Sequence, residues 1–163
     1  MKGTTHLGAG AVCGIAIATY AALPPEQAIV ATSCAMVASV LPDVDSATSI
    51  IGRVFLPVSW LTNQLFGHRT VFHALLPWSL IQGIAWLAMP QYPWYLLALG
   101  AGVLSHLILD IFNPTGIPLL WPIKVKFSLG LCRSGGMIDK LLGRIFPAVA
   151  GFLLVSYLCQ LWL

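Results

Sequence analysis

In this chain of 163 residues, 58% are hydrophobic and only 8% charged, whereas about a quarter of the residues of a soluble domain carry charge. The net charge of +3, eight basic residues against five acidic, is too small and too scattered for a nucleic-acid-binding surface, so no nucleic-acid partner is expected. Cys13, Cys34, Cys132 and Cys159 form no C-x-x-C pair and read as small buried hydrophobes, with neither a disulfide framework nor a thiolate zinc site. The composition predicts an all-α integral membrane helical bundle, one membrane-embedded domain over 1–163.

Apolar runs appear in chain order at 7–23, 27–41, 71–88, 94–112 and 145–163, each near the ~20 residues that cross a bilayer core. The first has features of a signal peptide, with Lys2 before it and Ala18, Ala21 and Ala22 near its end. A single basic residue, with Tyr20 disturbing the small-x-small pattern, favours a retained helix. The second run is short, which leaves open a full span or a broken, partly re-entrant helix lining a cavity. Between spans two and three, 47–66 is apolar apart from Arg53, is interrupted by Pro57 and is expected along the cytoplasmic interface.

About five spans with a cytoplasmic N-terminus put Lys2, Arg53, Arg69, Lys124, Lys126, Arg133, Lys140 and Arg144 all inside. The positive-inside rule asks for that asymmetry, and it places the C-terminus outside. The expected location is the bacterial inner membrane.

With depth assigned, the polar residues gather on one side. His6 opens span one, Asp43 and Asp45 close span two, His68, Arg69 and His73 open span three, and His106 and Asp110 close span four. A charge in lipid costs roughly 2.5 to 3.5 kcal/mol even on insertion scales, so these groups are expected to face a shared cavity. His106 and Asp110 stand four apart, on one helix face. Asp43 and Asp45 flank Val44 in a proline-initiated turn. His68 and His73, five apart, cannot share a helix face, which puts His68 in the loop before a helix carrying His73. Imidazole and carboxylate donors without thiolates suit zinc, manganese or iron. Taken singly, each residue also has an ordinary reading: a hydrogen-bonded packing histidine, a capping aspartate, an anchoring arginine.

The residues Thr5-His6-Leu7, Leu41-Pro42-Asp43-Val44-Asp45, Gly67-His68-Arg69 with His73, and Leu104-Ser105-His106 through Asp110 into Pro114 to Pro122 resemble a known family. It is that of the LexA-regulated, membrane-bound, metal-dependent hydrolases, also called YdjM-like inner-membrane proteins. The family is in turn similar to the helical superfamily of zinc-dependent phospholipase C and single-strand-specific nucleases. That resemblance implies His6, Asp45, His68, His106 and Asp110 as metal ligands, with Asp43 and His73 as further ligands or supports. The chain departs from the family where His68-Arg69-Thr70-Val71-Phe72-His73-Ala74 replaces a common His-Arg-Gly-Phe-Thr-His-Ser. It departs again at Ser46, where a His is common.

The expected function is hydrolysis of a phosphoester on an amphiphilic substrate at the cytoplasmic leaflet, with one or two divalent ions as cofactor. Asp43, His73 and Arg69 would serve the reaction, Arg69 by pairing with a phosphate oxygen or by holding Asp43. Lys124 and Lys126 would meet lipid headgroups. The rival readings are a cation- or proton-handling transporter and a non-catalytic membrane partner protein.

Overall fold

The structure, a computed structural model, describes residues 1–66 and 70–162. These form helices α1 (Gly3–Tyr20), α2 (Pro25–Ala38), α3 (Ile50–Val54), α4 (Leu56–Phe66), α5 (Leu75–Ala88), α6 (Pro93–Ile111) and α7 (Met137–Gln160), with 3-10 turns at Leu41–Asp45 and Val71–His73. No strand occurs among the described residues, only an isolated antiparallel bridge between Ile117 and Phe127.

Prolines set several helix ends. Pro25 and Pro93 begin α2 and α6, where a missing N–H costs nothing. Inside a helix, a proline ring collides with the carbonyl four residues earlier and leaves it unbonded. Pro42 therefore stops α2 at Ala38, Pro57 divides the apolar stretch over 47–66 into α3 and α4, and Pro77 confines α5 to a start at Leu75.

Two expectations shift for this reason. The second apolar run is a broken helix, continued past Ala38 by the turn that carries Asp43 and Asp45. His73 lies in the turn before α5 and not on the helix itself. The last helix also begins earlier than the apolar run from Ile145, because α7 takes in Lys140 and Arg144 and starts at Met137.

Helix α1 is the centre of the bundle, packed on α2, α6 and α7; α2 also packs on α6, and α5 leans chiefly on α6 among the described helices. Small residues permit the close approach. A β-carbon on Gly14 would run into the Thr32 backbone of α2, and one on Gly102 into the Ala35 carbonyl, the packing expected where lipid gives helices no hydrophobic drive to associate. At one end of the bundle Ala18, Leu23, Ala28, Ala31, Ala35, Ala98 and Tyr157 form an apolar cluster.

The radial distribution of residues is the reverse of a soluble protein. Ile29, Ile84, Leu87 and Phe152 are 67, 65, 85 and 73% exposed, while His6, Asp45, His73, His106, Asp110 and Asp139 are fully buried. Three stretches, Pro25–Asp45, Pro93–Ile111 and Met137–Gln160, are long and apolar enough to cross a membrane, and Leu75–Ala88 is a shorter apolar helix. The fold is an all-α membrane helical bundle.

The long connection from α6 to α7 holds its end of the bundle together. Gly116 turns the chain with φ of 61°, a conformation that side chains rarely adopt, and Ile117 then exchanges hydrogen bonds of 3.1 and 2.9 Å with Phe127. From this connection Leu119 accepts from Leu75 N at 2.9 Å, while Leu129 and Cys132 donate to the last carbonyls of α6, at Ile111 and Phe112. The start of α5 is thereby tied to the end of α6.

Candidate metal centre

Four side chains from three segments converge where α2 and α6 end and α5 begins. One donor atom from each of Asp43, His73, His106 and Asp110 lies within 4.8 Å of the other three. His73 Nε2 is 3.4 Å from His106 Nε2, 3.5 Å from Asp43 Oδ1 and 3.7 Å from Asp110 Oδ2. His106 Nε2 is 3.8 Å from both Asp43 Oδ1 and Asp110 Oδ2. Ligands about 2.05 Å from a tetrahedral ion stand about 3.3 Å apart, so the cluster is slightly open relative to that geometry.

The orientation of His106 follows from the broken helix. In a continued α-helix the Ser39 carbonyl would accept from Asp43 N, but the 3-10 turn directs that N–H to Val40 instead, at 3.1 Å. The Ser39 carbonyl is then available to His106 Nδ1 at 2.8 Å. A carbonyl only accepts, so Nδ1 carries the proton and Nε2 presents its lone pair to the cluster, the arrangement typical of metal-bound histidine.

Asp45 approaches His73 from behind, its Oδ2 3.7 Å from Nδ1. A carboxylate there favours the proton on Nδ1 and aims the Nε2 lone pair inward. The resemblance implied Asp45 as a ligand, with Asp43 and His73 as ligands or supports. Here Asp43 and His73 are the two that join His106 and Asp110.

His6, in the first turns of α1, stacks on His106 with ring centroids 3.9 Å apart. Its Nε2 is 3.4 Å from Asp110 Oδ1. Both ring nitrogens are buried and make no hydrogen bond among the described residues. The Met1 amino group also pairs with Asp110 Oδ1. Asp110 thus turns Oδ1 toward α1 and Oδ2 toward His73 and His106. His68 and Arg69 lie outside the described residues. Lys124 and Lys126 are exposed on the connection after α6 and contribute nothing to the cluster's donor set.

One polar residue of consequence had no place in the expected site. Asp139, buried in the first turn of α7, accepts from Thr5 Oγ1 at 2.7 Å, Gly135 N at 2.6 Å and Lys2 N at 3.0 Å. It fastens α7 to the segment that delivers His6. The available signal was an acid just after Gly135-Gly136, where a helix N-terminus favours one.

Three acids crowd the cluster, and buried carboxylates cost several kcal/mol each unless compensated. The Met1 amine compensates Asp110 in part. A divalent cation, if held between two imidazole nitrogens and two carboxylate oxygens, would compensate the rest.

Fold and centre together define a multi-helix membrane protein with a buried His/Asp cluster able to hold a metal ion. The YdjM inner membrane protein family matches residues 1–162, and the chain belongs to that family. It is 30% identical over 113 residues to the inner membrane protein YdjM of Escherichia coli, covering 65% of this chain and 57% of that protein, and equally to the YdjM of Shigella flexneri. The match therefore spans little more than half of those relatives. It is also 31% identical over 156 residues to YvsG, an uncharacterized protein of Bacillus subtilis, covering 96% of this chain and 92% of that one. No solved structure matches.

Proposed function

We propose that this protein is a membrane-bound, metal-dependent hydrolase that cleaves a phosphoester on an amphiphilic substrate at the cytoplasmic leaflet. The observation that carries the reading is the convergence of Asp43, His73, His106 and Asp110 within 4.8 Å. These four would hold a divalent ion, zinc foremost, with manganese or iron also suited to the donors. Such an ion lowers the pKa of a bound water toward ~7 and polarises a phosphoryl oxygen.

The chain's own groups prepare that chemistry. The Ser39 carbonyl fixes the His106 tautomer and Asp45 orients His73. His6, whose ring nitrogens lie beside Asp110 and make no hydrogen bond among the described residues, is placed for a second ion or for proton transfer at the cluster's edge. His68 and Arg69 immediately precede the turn that carries His73, and they keep their roles as a further donor and as a phosphate partner. An amphiphilic substrate fits a cavity of about 250 Å³ between α5 and α6, lined by Leu41, Leu75, Trp78, Val103 and Leu107. This apolar groove reaches residues two positions from Asp43 and His73 and one from His106. Five spans with the N-terminus inside would set the centre at the cytoplasmic face, with Lys124 and Lys126 toward anionic lipid headgroups.

A transporter would need polar stepping stones through the membrane. At the other end of the bundle the described buried residues form the apolar group of Ala18, Leu23, Ala28, Ala31 and Tyr157, which favours a one-sided hydrolytic site.

The deciding measurement is elemental analysis of protein purified without chelator, followed by release of phosphate from a short-chain phosphatidate. Stoichiometric metal with turnover lost in Asp110→Asn is the expected result. Protein that neither carries nor takes up zinc, manganese or iron would end the hydrolase reading.

A further inference from the structure

A second cavity, of about 470 Å³ and mostly polar lining, opens beside the cluster. Its walls come from the start of α1, the stretch from Asp43 into α3, and Ser134 on the connection before α7. Two cations face it: Lys2, and Arg53 from the last turn of α3. Neither forms an ion pair with a described residue. Ser46 and Thr48 add hydroxyls that bond to each other at 3.1 Å and keep capacity for another partner. The one acid in the lining is Asp43, whose Oδ1 points at His73 and His106.

We infer that this vestibule is the anion subsite of the centre, where Lys2 and Arg53 bind the phosphate group of the substrate and deliver it to Asp43 and its neighbours. The inference deepens the phosphoester reading by assigning residues that hold the anion. Arginine's planar fork suits two phosphate oxygens at once, and the lysine ammonium adds a point charge. Two cations at one mouth, neither paired with a described residue, oppose entry of a metal ion and so mark the cavity as an anion path. Ordinary positive-inside anchoring does not account for the arrangement. All four of these side chains are exposed, but Lys2 and Arg53 come from separate segments to line one polar cavity, whereas Lys124 and Lys126 line no part of it.

The test uses full-length protein in detergent, stripped with chelator, and calorimetric titration with inorganic phosphate at low salt. Lys2→Gln and Arg53→Gln are each expected to weaken phosphate binding about tenfold, as loss of one charge-assisted contact does, and the double variant about a hundredfold. Arg53→Lys should recover part of the loss, and the thermal midpoint should not move. The control is a Lys124→Gln, Lys126→Gln double variant, which should bind phosphate as the parent does. Repeating the comparison in bilayer discs of phosphatidylcholine with and without phosphatidate separates the sources. Protection against phosphate binding by phosphatidate assigns the subsite to a lipid headgroup, and its absence to a water-soluble phosphoester. Undiminished binding by the Lys2, Arg53 double variant, or an equal loss in the control, would overturn the inference. Failure to load metal in a protein that still binds phosphate through these two residues would sink the hydrolase reading and leave the subsite standing.

Discussion

Replacing Asp45 by asparagine separates the two arrangements that three neighbouring carboxylates allow. Asp45 is fully buried, and asparagine has nearly its shape, so the substitution opens no cavity. It also leaves untouched the backbone carbonyl that accepts from Asn63 at 2.9 Å. What it removes is the negative charge 3.7 Å behind His73 Nδ1. A group that only orients a ligand is worth about 10- to 100-fold in metal affinity, or about 1.4 to 2.7 kcal/mol. Asp43 instead puts Oδ1 3.5 Å from His73 Nε2 and 3.8 Å from His106 Nε2, and Asp43→Asn would withdraw one of four donors. Competition against a chromophoric chelator in detergent measures both. The expected order is measurable but weakened binding in Asp45→Asn and no stoichiometric binding in Asp43→Asn or His73→Ala. The opposite order, abolition by Asp45→Asn with Asp43→Asn within tenfold of the parent, would refute the arrangement described here.

His106→Ala and Asp110→Asn should each abolish metal binding while membrane insertion, read from the integrated fraction in membranes, stays at the parental level, because the apolar run of α6 drives insertion. Gly102→Val should lower stability by about 1 to 3 kcal/mol, since even a β-carbon there meets the Ala35 carbonyl; thermal unfolding in detergent reads the loss, and an unchanged midpoint would contradict the close α2–α6 contact. Asp139→Ala should cost about 1 to 3 kcal/mol, because it leaves the buried Thr5 hydroxyl without its acceptor, along with the partly buried N–H groups of Gly135 and Lys2, with Asp139→Asn recovering part. A periplasmic-active reporter fused to the C-terminus should be active, and activity only from a cytoplasmic reporter would reject the five-span orientation.

The membrane character and the gathering of His and Asp were legible in the sequence because both rest on composition and on depth along apolar runs. The i, i+4 spacing of His106 and Asp110 carried through to the structure, where both reach the cluster from α6. The separate duties of Asp43, Asp45 and His73 were not legible. Spacing fixes which face of a regular helix a residue occupies, but all three lie in 3-10 turns at broken helix ends, where a one-residue change of register redirects a side chain. Pro42 and Pro57 were visible as breakers, yet where the chain goes after a break depends on tertiary packing. Asp139 escaped notice because Lys140 and Arg144 interrupt the apolar run and concealed the first turns of α7. Lys2 and Arg53 read as topology anchors until the fold brought them to the same cavity.

The bond from His106 to the Ser39 carbonyl has a consequence for how this centre tolerates change. Its acceptor is main chain, so every amino acid placed at position 39 supplies it, and mutation of that side chain cannot delete the hydrogen bond outright. Vulnerability moves to Pro42, three residues on, whose ring forbids the continuous helix that would reclaim the neighbouring carbonyls. A centre built this way can lose its histidine's alignment through a substitution at a residue that touches no ligand. A survey of inactivating mutations should therefore find position 42 sensitive and position 39 limited only by size.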